Sequence, residues 1–209
     1  MLRVLIADDH EIVRRGLKQI IHEGFAFADI EEAGDCPALV NKALSGEWSI
    51  IVSDLAMPGG GGLEALKQIH RSKPALPVLI LSIYPEEQYA LRVMKAGASG
   101  YLNKDAAPEE LVIAMQRILA GRRYLTENMS EKIAQRLEGT DDIPLHELLS
   151  DREWDVFHYL AKGKTVTEIC ELLLLKSTTV STYRTRILSK MHMRTNADII
   201  QYALENDLI

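Results

Sequence analysis

Cysteine is scarce in this chain. It has 2, Cys36 and Cys170, which lie far apart without metal-ligand spacing, so a disulfide framework and a cysteine zinc site are excluded and reduced thiols filling small packing positions are expected. Long apolar runs are absent too, and none approaches the roughly 20 residues that span a bilayer. The opening MLRVLIADDH reaches two aspartates after a very short apolar stretch, too brief and too acidic for a secretory signal, so a cytoplasmic protein is expected. Nor is there a surplus of basic charge. The net charge of -6 argues against a protein that coats nucleic acid indiscriminately, although a mean charge leaves room for a local basic face. Internal repeats and low-complexity tracts are missing as well. What remains is ordinary globular composition, 47% apolar and 26% charged, over 209 residues, which is long enough for two domains with modest cores.

Up to Gly121, β-rich runs alternate with helical stretches. LRVLIA, DIEEA, SIIVSD, PVLILS and SGYLN read as strands, and the segments near 11–23, 37–45, 63–72, 85–96 and 108–120 as helices. Five βα units of this kind require parallel strands with right-handed crossovers, and the continuous apolar character of IIVS and VLIL fits strands covered on both faces. The more polar DIEEA predicts an edge strand. After Gly121 the strand signals stop. TENMSEKIAQRL spaces Met129, Ile133 and Leu137 as an amphipathic helix would, and GTDDIP then breaks it. From Leu145 onward the pattern is helical. Ser150 with Glu153 and Thr165 with Glu168 match the capping box, a short helix at 166–173 precedes a longer one from Ser177, with Ser177 a candidate cap, and a last helix lies near 196–206. That pairing is helix-turn-helix geometry. The expected fold class is therefore α/β: a five-stranded parallel doubly wound domain at 1–121, a linker with a helix at 122–144, and a small all-α four-helix domain at 145–209.

Chemistry concentrates at the strand ends. Asp8 and Asp9 follow the first strand, Asp54 ends the third, Ser82 ends the fourth and Lys104 follows the fifth. In an open parallel sheet these groups converge at one edge, where functional crevices form. Three carboxylates gathered there call for a cation, and hard oxygen donors suit Mg²⁺, which binds through few carboxylates plus a phosphate. Lys104 and Ser82 can hold phosphoryl oxygens while Asp54 attacks phosphorus. A single aspartate after a strand usually does no more than cap a helix, but five such groups together go beyond capping. MPGGGG lacks both GxGxxG and a following Lys-Ser/Thr, and so reads as a turn.

This pattern resembles the receiver domain of two-component response regulators over residues 1 to about 121. The resemblance implies a flavodoxin-like strand order 2-1-3-4-5 and makes Asp54 the phosphoacceptor. It gives the metal Asp9, Asp54 and the backbone carbonyl of Ala56, with Asp8 acting through water, and it places Lys104 and Ser82 on the phosphoryl group. Tyr101 becomes the aromatic switch that follows Ser82 inward, and the last turn glycine falls on Gly62. Ala56 and Tyr84 sit two residues beyond Asp54 and Ser82, positions that flank the path of attacking water in this family. An alanine there cannot orient water, so a slowly decaying acyl phosphate is expected.

In the C-terminal part no acid occurs between Leu172 and Ala197, whereas Lys176, Arg184, Arg186, Lys190 and Arg194 all do. Val180, Tyr183, Ile187 and Met191 form a core-facing stripe. A basic outer face results, carrying Lys176, Thr178, Thr179, Ser181, Thr182, Arg184, Thr185, Arg186 and Lys190 as candidate DNA contacts, since cations hold phosphates and hydroxyls reach phosphates or base edges. LSDREWDVFHYLAKGKTVTEI followed by TTVSTYRTRILSKM is similar to the LuxR-type helix-turn-helix, with Lys176, Leu174 and Cys170 departing from the usual Ser, Gly and Ala. The whole chain thus looks like a NarL/FixJ-type response regulator, with a lean toward BvgA/EvgA/GacA-like members. That resemblance implies a sensor histidine kinase as phosphodonor, double-stranded DNA with a roughly palindromic operator, a homodimer when phosphorylated, and no enzyme activity beyond the receiver's own phosphoryl transfer and dephosphorylation. Two other readings are a phosphorylation-independent DNA-binding regulator and a metal-dependent phosphohydrolase. The second calls for D-x-D at its nucleophile, whereas the acids here are adjacent.

Overall fold

The computed structural model describes residues 1–59, 61–126, 129, 131, 144–206 and 208–209. The chain divides into two compact units, Met1–Glu138 and Gly139–Ile209. In the first, β1 (Arg3–Ala7), β2 (Asp29–Ala33), β3 (Ile50–Asp54), β4 (Val78–Ser82) and β5 (Gly100–Asn103) alternate with α1 (Glu11–Gly24), α2 (Cys36–Ser45), α3 (Gly62–Ser72), α4 (Glu86–Lys95) and α5 (Ala107–Leu119). The strands form one parallel sheet in the order β2-β1-β3-β4-β5. Every residue of β3 and β4 is buried, which explains their unbroken apolar sequences, while DIEEA is the half-buried edge strand that its polarity predicts.

Register is what positions the chemistry. Ala7 pairs with Ser53, Asp54 with Leu81 and Ser82 with Asn103, so the residues at and just past these strand ends share one edge. Behind the sheet, Leu17 and Ile21 of α1 and Leu111, Ala114, Met115 and Ile118 of α5 bury against Val4, Ile6, Val52 and Leu81. A Cβ on Gly62 would strike the Leu55 carbonyl oxygen and lie 2.9 Å from that of Asp54. Only glycine allows α3 to begin this close to β3.

The sheet has the five expected strands, and beyond β5 an isolated parallel bridge joins Tyr124 to Gly100. The Tyr101 N–H donates to the Tyr124 carbonyl (3.1 Å) and the Tyr124 N–H to the Ser99 carbonyl (3.0 Å). A single bridged residue has no periodicity for a sequence reading to detect. Of the amphipathic helix expected through Met129, Ile133 and Leu137, the last two residues lie outside the described residues, as do those at 132–143 of the expected linker; Met129 is buried.

The second unit contains α6 (Asp151–Ala161), α7 (Val166–Leu173), α8 (Ser177–Lys190) and α9 (Asn196–Glu205), after a 3-10 turn at Leu145–Leu148. Both expected capping boxes form. A third joins Thr195 to Asp198, with Asp in place of the usual Glu. Ser177 is not the cap of α8: it is the first helical residue, and Lys176 occupies the cap position with no side-chain cap. The core holds Trp154, Phe157, Leu160, Ile169, Val180, Ile187, Met191, Ile199 and Ala203, so three of the four stripe residues of α8 are buried and Tyr183 is half-buried. Among the described residues, no helix is long and apolar enough to cross a membrane.

Candidate functional site

At the carboxyl edge of the sheet, the Lys104 Nζ donates to Asp8 Oδ2 and to Asp54 Oδ2, each at 2.7 Å. Both carboxylates are almost fully enclosed, with Asp8 1% and Asp54 4% exposed, so one ammonium group serves two desolvated carboxylates. Burial raises the Asp54 carboxyl above its usual range, and the hydrogen bond and charge of Lys104 only partly offset it. Burial likewise pulls the Lys104 ammonium down, but its hydrogen bonds to Asp54 and Asp8 outweigh that and leave it raised. Lys104 stays protonated, and Asp54 is a thinly hydrated carboxylate beside a cation, an arrangement that suits an oxygen nucleophile. The second Asp54 oxygen accepts the Ala56 N–H (3.1 Å).

The loop after β1 is held in place by its neighbours. The Asp8 Oδ1 accepts the His10 N–H (2.8 Å), and Arg14 of α1 donates to the Asp8 carbonyl (2.7 Å) and to Glu32 of β2 (2.6 Å). Lys18 and Arg14 together hold the Glu32 carboxyl below its ordinary range. Asp9 is exposed, with its Oδ1 2.9 Å from the His10 Nδ1, which is 3.3 Å from the Asp8 Oδ1. Among the described residues, Asp8, Asp9 and His10 form the cluster whose donor atoms could hold a metal ion. Asp54 stands beside them across Lys104. Sequence reasoning passed over His10, although its place between two acids and the start of α1 was the available signal. Two buried carboxylates sharing one ammonium leave negative charge uncompensated, and their oxygens are hard donors, so the residues present fit a hard divalent cation.

Ser82 follows Leu81, the register partner of Asp54. It is buried, and its Oγ accepts the Tyr84 N–H (3.1 Å). Tyr101 is 1% exposed and its hydroxyl donates to the Tyr84 carbonyl (2.7 Å), so this ring lies wholly inside. Gly59 and Gly61 of MPGGGG have φ of 90° and 88°, in keeping with a turn.

On α8, Lys176, Thr178, Ser181, Thr182, Thr185 and Arg186 are exposed and Thr179 is half-buried. Thr178, Thr179, Thr182, Tyr183 and Arg186 line a shallow groove of about 300 Å³. The two remaining candidates are engaged within the unit. Arg184 Nε donates to the Asn196 Oδ1 (2.7 Å), and Lys190 Nζ donates to the Glu153 Oε2 (2.6 Å) and the Leu148 carbonyl (3.3 Å). They tie α8 to α9 and to α6.

Residues 4–116 match the family described as "Response regulator receiver domain", and residues 147–203 that described as "Bacterial regulatory proteins, luxR family". The chain is 33% identical over 209 residues to the response regulator UvrY of Escherichia coli K12, covering 100% of this chain and 96% of UvrY. It is 31% identical over 214 residues to the response regulator GacA of Pseudomonas aeruginosa, covering 100% of this chain and 98% of GacA. Among solved structures it is similar to RcsB of Salmonella enterica serovar Typhimurium bound to promoter rprA in the presence of the phosphomimetic BeF3-. That match has a TM-score of 0.66 at 27% identity, over 97% of this chain and 98% of the other.

Proposed function

Because the chain belongs to the NarL/FixJ-type two-component response regulators, which join a receiver domain to a LuxR-type DNA-binding domain, we propose that it is a transcription factor switched by phosphorylation of Asp54. The observation that carries this reading is Lys104 held 2.7 Å from both Asp8 and Asp54: a buried nucleophile, a fixed cation and spare acidic donors in one place. A sensor histidine kinase is the donor. A phosphorus–nitrogen bond on its histidine breaks, a phosphorus–oxygen bond to Asp54 forms, and the histidine imidazole leaves. Lys104 neutralises phosphoryl oxygens and the Ser82 hydroxyl donates to another. Asp8, Asp9, Asp54 and the Ala56 carbonyl are the groups assigned to Mg²⁺, which would supply charge neutralisation at the phosphoryl oxygens when bound.

In this reading residues 1–121 are the receiver, 122–144 the linker and 145–209 the DNA reader, all in the cytoplasm. The phosphoryl group adds nearly two negative charges at a buried edge, enough to favour one conformation by a few kcal/mol. Tyr101 transmits the change, and the phosphorylated protein dimerises. Two copies of α8 then meet half-sites about one helical turn apart on a roughly palindromic operator. Lys176, Thr178, Thr179, Ser181, Thr182, Thr185 and Arg186 supply the outer contacts, while Arg184 and Lys190 add charge from positions that also brace the helix. Incubation with radiolabelled acetyl phosphate and Mg²⁺ should label the wild type and leave Asp54→Asn and EDTA-treated protein unlabelled. Equal labelling of Asp54→Asn would contradict the assignment.

A further inference from the structure

Beyond β5 the chain is held to the start of α4. Glu86, the first residue of α4, is buried, and one of its carboxylate oxygens accepts the Thr126 N–H (3.1 Å) while the other accepts the Thr126 hydroxyl. The same hydroxyl accepts the Met129 N–H (3.3 Å). Two residues earlier, Tyr124 is fixed on three sides: by its backbone bonds to Ser99 and Tyr101, by its hydroxyl donating to Glu110 (2.6 Å), and by the Arg117 guanidinium over its ring.

These contacts lie close along the chain to the phosphoacceptor edge. The Ser82 Oγ accepts the Tyr84 N–H, the Tyr84 carbonyl accepts the Tyr101 hydroxyl, and Glu86 lies two residues on. Ser82 is one step past the register partner of Asp54 on the adjacent strand, and neighbouring strands lie about 4.8 Å apart. A hydroxyl there can donate its proton to a phosphoryl group on Asp54 while still accepting from Tyr84, and hydrogen bonds in series polarise and strengthen one another. Phosphorylation therefore narrows the freedom of residues 82–86, and with it the freedom of the Glu86 carboxylate.

We infer that Glu86 and Thr126 are positioning residues: they clasp the segment leaving the receiver to the start of α4, and phosphorylation of Asp54 tightens that clasp. The inference rests on the functional reading above. It makes Thr126 the point at which the state of Asp54 is registered in the segment that follows α5. Coupling of this kind is reciprocal, so loosening the clasp must also weaken binding of a phosphoryl mimic.

The test is hydrogen exchange on the full chain with and without beryllofluoride and Mg²⁺, in wild type, Thr126→Val and Thr126→Ser. Beryllofluoride should slow exchange in the peptide containing Thr126 by about tenfold in the wild type, the scale of one charge-assisted hydrogen bond. Thr126→Val should lose that response and bind beryllofluoride about three- to tenfold more weakly. Thr126→Ser, which keeps the hydroxyl, should restore both; a merely structural threonine would not link a remote ligand's affinity to its hydroxyl. If residues 82–86 respond and the Thr126 peptide does not, the clasp is refuted and the functional reading stands. If neither region responds, the functional reading fails and takes the clasp with it.

Discussion

Ala56 is exposed two residues past Asp54, and only its backbone N–H reaches that carboxylate. Its methyl group can neither donate to nor accept from a water approaching phosphorus, whereas an amide side chain at this position could. Ala56→Asn should therefore release phosphate from Asp54 about tenfold faster, an orientation effect of modest size. Following decay of the purified phosphoprotein checks this, and slower or equal decay in the variant would reject it. His158 is a buried titratable group. It is 2% exposed in the second unit, and burial, aided by the nearby Lys162, pushes its imidazole down to about 4 from 6.5. The folded state keeps this ring neutral where the unfolded chain would protonate it, so stability is complete above about pH 6.5 and declines as pH falls toward about 4. At about pH 5 the loss relative to pH 7 should be about 2 kcal/mol. Urea unfolding followed by Trp154 fluorescence in a Trp48→Phe background should show that loss in wild type and not in His158→Leu. Equal losses in both would sink the argument.

The helix-turn-helix element carries a strained residue. Leu174 ends α7 with φ 53° and ψ 43°, in the left-handed region that costs a side-chain-bearing residue about 1–2 kcal/mol, and it is 75% exposed, so little burial repays the strain. Leu174→Gly should raise the unfolding free energy by about 1 kcal/mol and lift the melting temperature of the second unit. A fall would mean that the leucine contributes packing which its exposure does not reveal. At this scale much was legible beforehand. Buried strands announced themselves by unbroken apolar runs, and helix starts by Ser150 with Glu153 and Thr165 with Glu168, because periodicity and capping are local physics. Single contacts between distant segments were not. The Gly100 to Tyr124 bridge and the Glu86 to Thr126 pair join residues that no short window holds together.

For the whole molecule, the acidic site was readable because parallel strands in register deliver their ends to one edge, so Asp8, Asp54, Ser82 and Lys104 could be placed from topology alone. What topology could not give was the partner of each charge. Lys104 bridging two carboxylates, His10 joining Asp8 and Asp9, and Lys190 turning back to Glu153 all depend on side-chain reach within the folded unit. Charge added at Asp54 is expected to govern DNA binding by α8. Operator affinity and oligomeric mass should be measured together for wild type and Asp54→Asn, each with and without beryllofluoride and Mg²⁺. Tighter operator binding and a shift to dimer are expected in the wild type alone. The same affinity and mass in all four samples would contradict that expectation.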